Sequence, residues 1–148
     1  MMRAGVMIAA ALLAVLLAAA QAQALTCGMR AAVLSALTQN GQHLSERGVD
    51  SKSGVFVGVA VDPLTQQWTF IMSPANQPAT LCIVGNGKKW ITTQPTSSTG
   101  IMHDGSVITV IFDPQTGDWQ LLYMQAGVPA PPKKSTSGHG WERLGAGV

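Results

Sequence analysis

The sequence predicts an α+β fold, with one N-terminal helix packed on an antiparallel β-meander of about five or six strands. Three observations carry this. A single helical pattern occupies the start of the folded region. A seven-residue turn motif occurs twice, each time between apolar β-branched runs. A third apolar run, Thr80–Val84, is followed by Gly85-Asn86-Gly87 and a returning run, Lys88–Thr92.

The helix is read from Met29, Val33 and Leu37, which recur every fourth residue and are joined by Ala32, Leu34 and Ala36 into one apolar stripe. Thr26 is placed to cap its start, and Asn40-Gly41 is a stop signal of the left-handed kind. A polar stretch from Gln42 to Ser53 then leads into the strands.

Asp62-Pro63-Leu64-Thr65-Gln66-Gln67-Trp68 is echoed by Asp113-Pro114-Gln115-Thr116-Gly117-Asp118-Trp119, an offset of 51 residues. Asp accepts hydrogen bonds from the backbone that follows it, and Pro fixes the first turn position. Gly117 supplies a positive φ readily, whereas Gln66 does so at a cost. Each motif therefore reads as a hairpin, the first joining Val55–Val61 to Trp68–Met72 and the second joining Val107–Phe112 to Trp119–Met124. The unbroken apolarity of Thr80–Val84 predicts a strand covered on both faces, with Gly85-Asn86-Gly87 as its turn. The segment from Thr93 to Gly105, rich in Pro, Ser, Thr and Gly, reads as a loop. Residues 126–148, with Pro129-Ala130-Pro131-Pro132-Lys133-Lys134, read as a flexible tail.

Three regions follow: 1–24 a signal peptide, 25–125 a single domain, and 126–148 the tail. Arg3 precedes an apolar run from Ala4 to Ala20, and Ala22-Gln23-Ala24 offers a small-residue cleavage site. The competing reading is a retained anchor, although a comfortable span wants about 20 apolar residues. Export makes the location periplasmic or secreted, with no stable membrane span after cleavage. Cys27 and Cys82 are then an even pair in an oxidising compartment, expected as a disulfide. The 55-residue separation would give about 4 kcal/mol of stabilisation from chain entropy.

Beyond residue 24 the chain holds seven acids and eight Lys and Arg. No basic cluster tracks a phosphate backbone, so nucleic acid is not an expected partner. No Gly-x-Ser-x-Gly elbow, Ser-x-x-Lys pair, phosphate loop or dinucleotide fingerprint is present. Asp62 and Asp113 are claimed by turns, which leaves few carboxylates for paired acid–base work. The expectation is a non-enzymatic protein without a cofactor.

The candidate site residues are few. Met102 and His103 form the one tight group of soft donors, which makes periplasmic copper binding an alternative function. An uncharacterised hydrolase is a second alternative. Trp68 and Trp119 are expected to pack as core or staple residues, with a stacking platform as the other reading. Trp141, Lys133 and Lys134 in the tail are candidates for docking an envelope protein or polymer, with Trp141 as an exposed anchor.

Cys27 before the helix, Asn40-Gly41-Gln42, the first Asp-Pro-x-Thr-x-x-Trp hairpin and Leu81-Cys82-Ile83-Val84-Gly85-x-Gly87-x-x-Trp90 occur in that order. Over Cys27 to Trp90 this resembles a group of small exported bacterial proteins of unknown function. Those proteins have an N-terminal Cys before a helix, a Tyr-Gly-Glu-like helix end, a Thr-Trp-Thr strand and a Cys-Leu-Val-x-x-Gly-x-x-Trp ending. Here Asn40-Gly41-Gln42 stands in place of Tyr-Gly-Glu. The resemblance implies export and a Cys27–Cys82 bridge, and no activity. The functional expectation is thus an exported domain that binds a protein or envelope partner.

Overall fold

The computed structural model describes residues 26–144. The signal segment expected at 1–24 lies outside the described residues. Thr26–Met29 forms β1 and Arg30–Gln39 forms α1. There follow β2 (His43–Asp50), β3 (Phe56–Val61), β4 (Trp68–Met72) and β5 (Thr80–Gln94). The chain continues through β6 (Ser97–Met102), β7 (Val107–Phe112), β8 (Trp119–Met124) and β9 (Lys133–Arg143).

From β2 to β9 each strand pairs antiparallel with the next, and β9 returns to pair with β2. The result is a closed, up-and-down barrel of eight strands, with β1 added beside the first part of β5. Closure removes the open edges that a meander would leave.

This corrects the α+β expectation of one helix on five or six strands. The stretches read as polar linker, loop and tail contain β2, β6 and β9. All three were obscured for one physical reason. Several of their inward positions carry glycine, because indole rings occupy the barrel interior, and the inward Glu46 of β2 is a charged residue. A Cβ on Gly48 of β2 would meet the Trp141 ring at 2.7 Å and the Trp119 ring at 2.9 Å. A Cβ on Gly100 of β6 would meet Trp90 at 2.6 Å and Trp68 at 2.9 Å. With Gly or Ser inside, these strands lack the apolar alternation that marks a strand.

Two smaller expectations also change. Gly85-Asn86-Gly87 is not a turn, because β5 runs unbroken through it, shifting register against β4 and β6. Thr26 belongs to β1, and Met29 stands at the helix N-cap without a side-chain bond. The helix end is as expected. Gly41 has φ 86°, Gly41 N donates to Thr38 O, and Gln42 N donates to Leu37 O at 2.9 Å, together a Schellman motif.

The two Asp-Pro hairpins carry matching bonds. Leu64 N and Gln115 N each donate to the Asp side chain of their own turn at 2.8 Å. Trp90 N donates to Gln66 O at 3.0 Å, and Trp141 N donates to Gly117 O at 2.9 Å. Gln66 takes a φ of 69° where Gly117 has 81°. The amide of Leu64 outweighs desolvation and, with a lesser contribution from the Thr65 amide, holds the Asp62 carboxyl below its ordinary value.

Two apolar layers result. The interior is filled by residues such as Val57, Val59, Phe70, Val110 and Leu121, together with all four tryptophans. Trp68 tilts against Trp90 with ring centroids 5.3 Å apart, and Trp119 against Trp141 at 5.2 Å. Outside the wall, Val33 and Leu37 of α1 cover Ala60, Ile71 and Leu81 of β3 to β5. Cys27 lies directly opposite Cys82 in the β1–β5 register, and the two form a disulfide with Cα atoms 4.0 Å apart. The bridge fixes β1, and with it the start of the helix, to the wall that the helix covers.

Candidate functional site

The two ends of the barrel differ. At the end carrying the Asp-Pro hairpins, Glu46 of β2 points inward and is 2% exposed. Its Oε2 accepts from Trp90 Nε1 at 2.8 Å and from Ser98 Oγ at 2.7 Å, and its Oε1 accepts from Trp141 Nε1 at 2.9 Å. Arg143 of β9 lies 3.9 Å from this carboxylate. Its guanidinium stacks over Phe112 and donates to the carbonyls of Gln94, Pro95 and Ser97. Indoles, carboxylate and guanidinium together plug this end. The contacts tie β2, β5, β6 and β9 together, and among the described residues the buried Arg143 Nε finds no hydrogen-bond acceptor.

The opposite end is open. There the strands from β4 to β9 surround a cavity of about 460 Å³, within the size range of small-molecule sites. Trp68 lines its inner part, and its Nε1 is held by Ile101 O at 3.2 Å. Phe70, Met72, Val84 and Met102 make one side apolar. The other side carries Tyr123, Lys133, Lys134, Ser135 and Thr136 from β8 and β9. The strand pattern sets these positions: alternate residues of β4 and β8 face inward.

Polar groups near the rim are held in place. Tyr123 OH lies 3.4 Å from Ser106 Oγ, which also accepts from Ala126 N at 3.1 Å. Thr136 Oγ1 donates to Asp50 Oδ1 at 2.6 Å. The other Asp50 oxygen accepts from Lys52 N, Ser53 N and Ser53 Oγ. Burial alone would push the Asp50 carboxyl up, but these hydrogen bonds, led by that from Thr136, outweigh it and hold it below its ordinary value.

The structure separates the residues singled out from sequence. Lys133 and Lys134 lie on β9 at the cavity mouth, within an ordered strand rather than a flexible tail. Trp141, expected as an exposed anchor, is 4% exposed and is part of the plug. Its place on β9 faces inward, where only a buried acceptor can satisfy its N–H. Met102 lines the cavity, while His103 is exposed in the turn after β6. Among the described residues, no three His, Cys, Asp or Glu side chains gather as a metal-binding group. The apolar lining and Tyr123 were missed as site residues because inward apolar residues read as core until the barrel is seen to be hollow at one end.

The fold and site thus define a closed up-and-down β-barrel with one plugged end and one open cavity. Comparison with family models, curated proteins and solved structures finds no match for the chain. No helix among the described residues is long and apolar enough to cross a membrane.

Proposed function

We propose that this protein is a small-molecule binding barrel that works outside the cytoplasm, in the periplasm or as a secreted protein, and holds an apolar compound in its open end. The observation that carries the reading is the cavity itself. It is lined by apolar side chains on rigid strands, at one end of a barrel whose other end is filled. A water molecule's share of liquid is ~30 Å³, so the space suits a ligand on the order of fifteen non-hydrogen atoms. The Cys27–Cys82 bridge supports an oxidising location.

The reading shifts the expected partner from an envelope protein or polymer to a small molecule. Docking through Trp141 has no support once that ring is in the core, and the strands that form the barrel leave no unpaired edge. The test is a neutral apolar dye, N-phenylnaphthylamine, added to the purified protein. Its emission should rise at stoichiometric ratio with the wild-type protein, and Val84→Trp, which fills the cavity, should abolish the rise. Equal emission from both proteins would refute the assignment.

A further inference from the structure

The cavity is two-sided, and the division specifies a ligand class. Phe70, Met72, Val84 and Met102 on β4 to β6 offer a wall without hydrogen-bonding groups other than backbone. Across from it, β8 and β9 bring Tyr123, Lys133, Lys134, Ser135 and Thr136 to the lining, beside the apolar Leu121 and Ile108. The lining includes two cations and, among the described residues, no carboxylate. Asp50, which Thr136 bonds from behind the lining, has both oxygens occupied by Thr136, Lys52 and Ser53.

Strand register further distinguishes the two lysines. Lys133 is paired with Tyr123, whose side chain packs against the interior cluster, whereas Lys134 is paired with Leu122 on the alternate face. Antiparallel partners share a face of the sheet, so Lys133 is on the cavity side of β9 and Lys134 flanks it. Both are exposed at the rim, while Trp68 lies inside.

From this we infer that the ligand is a single-chain amphiphile with an anionic head, its chain running inward along Met72, Val84 and Met102 toward Trp68. Its carboxylate or phosphate head sits at the rim against Lys133, with Lys134 beside it. The inference rests on the cavity reading above and adds the ligand's charge and orientation. A long ammonium stem covers apolar surface while its head stays in water, which suits a lysine that meets a ligand at its chain–head boundary.

The experiment measures dodecanoate, dodecanol and dodecylammonium binding to the disulfide-bonded protein by calorimetry and by displacement of the neutral dye. Dodecanoate should bind about tenfold tighter than dodecanol, the return of one charge-assisted contact, and dodecylammonium weakest of the three. Lys133→Ala combined with Lys134→Ala should bring dodecanoate to within about threefold of dodecanol, both measured on that variant. Dodecyl phosphate in place of dodecanoate tells the two heads apart, and preference for either over dodecanol supports the proposal. If dodecanol binds as tightly as dodecanoate, the anionic-head assignment is overturned and the cavity reading stands. If neither binds the wild-type protein, or if Val84→Trp and Met102→Phe bind both as well as wild type does, the cavity reading falls and takes the inference with it.

Discussion

Replacing Glu46 by Ala should remove a large part of this protein's stability, and the size of the effect can be worked from its contacts. The carboxylate accepts from Trp90 Nε1, Ser98 Oγ and Trp141 Nε1, and is the counter-charge nearest Arg143. Ser98 can rotate, since Arg143 Nη2 already donates to its Oγ at 3.1 Å. The two indoles cannot, because each is clamped against a second tryptophan. Each buried donor left without an acceptor costs about 1–3 kcal/mol, and losing the 3.9 Å ion pair with the part-exposed Arg143 adds about 1 kcal/mol or less. These overlap, so the expected loss is about 4–6 kcal/mol, against a total stability of about 5–15 kcal/mol for a domain. Glu46→Gln keeps one acceptor oxygen and turns an amide N–H toward an indole N–H, so about 2–3 kcal/mol is expected. Urea unfolding followed by tryptophan emission measures both, and a cycle with Trp90→Phe isolates the indole–carboxylate pair. A loss under about 1 kcal/mol for Glu46→Ala would refute the claim that this carboxylate holds the closed end together.

Gln66→Gly should stabilise the protein by about 1 kcal/mol, because Gln66 is held at positive φ. Gly117→Gln should destabilise by at least that much, since its Cβ would also meet Gly140 N at 3.0 Å; both are read from urea midpoints. The depressed Asp50 carboxyl contributes stability that is present above its ordinary value of 3.8 and is lost as pH falls through its lower folded value. Asp50→Asn should therefore lower stability at pH 7 and flatten the acid limb of a stability–pH curve, and an unchanged limb would contradict the assignment. Reduction of the Cys27–Cys82 bridge should cost about 4 kcal/mol, with early hydrogen exchange in β1 and α1. An unchanged melting temperature in reductant would show that the bridge does not brace the wall.

Much of the fold was legible where side chains obey simple periodicity. The helix stripe, its Gly41 stop, both Asp-Pro hairpins and the strands flanking them follow from apolar spacing and turn chemistry. The disulfide follows from an even cysteine count. What failed was strand content at β2, β6 and β9, and the failure has a single cause. Gly48, Gly100 and Gly138 make room for rings contributed largely by the strands paired beside them, so the pattern of each of these strands makes sense only beside its neighbours. The same dependence hid Trp141, whose Pro- and Lys-rich context reads as solvent-exposed although its N–H meets Glu46, 95 residues away. Lys133 and Lys134 were visible as a basic pair but attached to the wrong partner class, because nothing local shows that a cavity lies beside them.

The most direct test of the account is an amide and indole NMR titration of the protein with dodecanoate. Four indole N–H signals are expected from the tryptophans, and only Trp68 among them lines the cavity. The account predicts saturable shifts at the Trp68 indole and at the amides of Met72, Val84, Met102, Tyr123 and Lys133, with the Trp119 and Trp141 indoles unmoved. Shifts confined to the outer face of the barrel, or an unmoved Trp68 indole at saturating ligand, would contradict it.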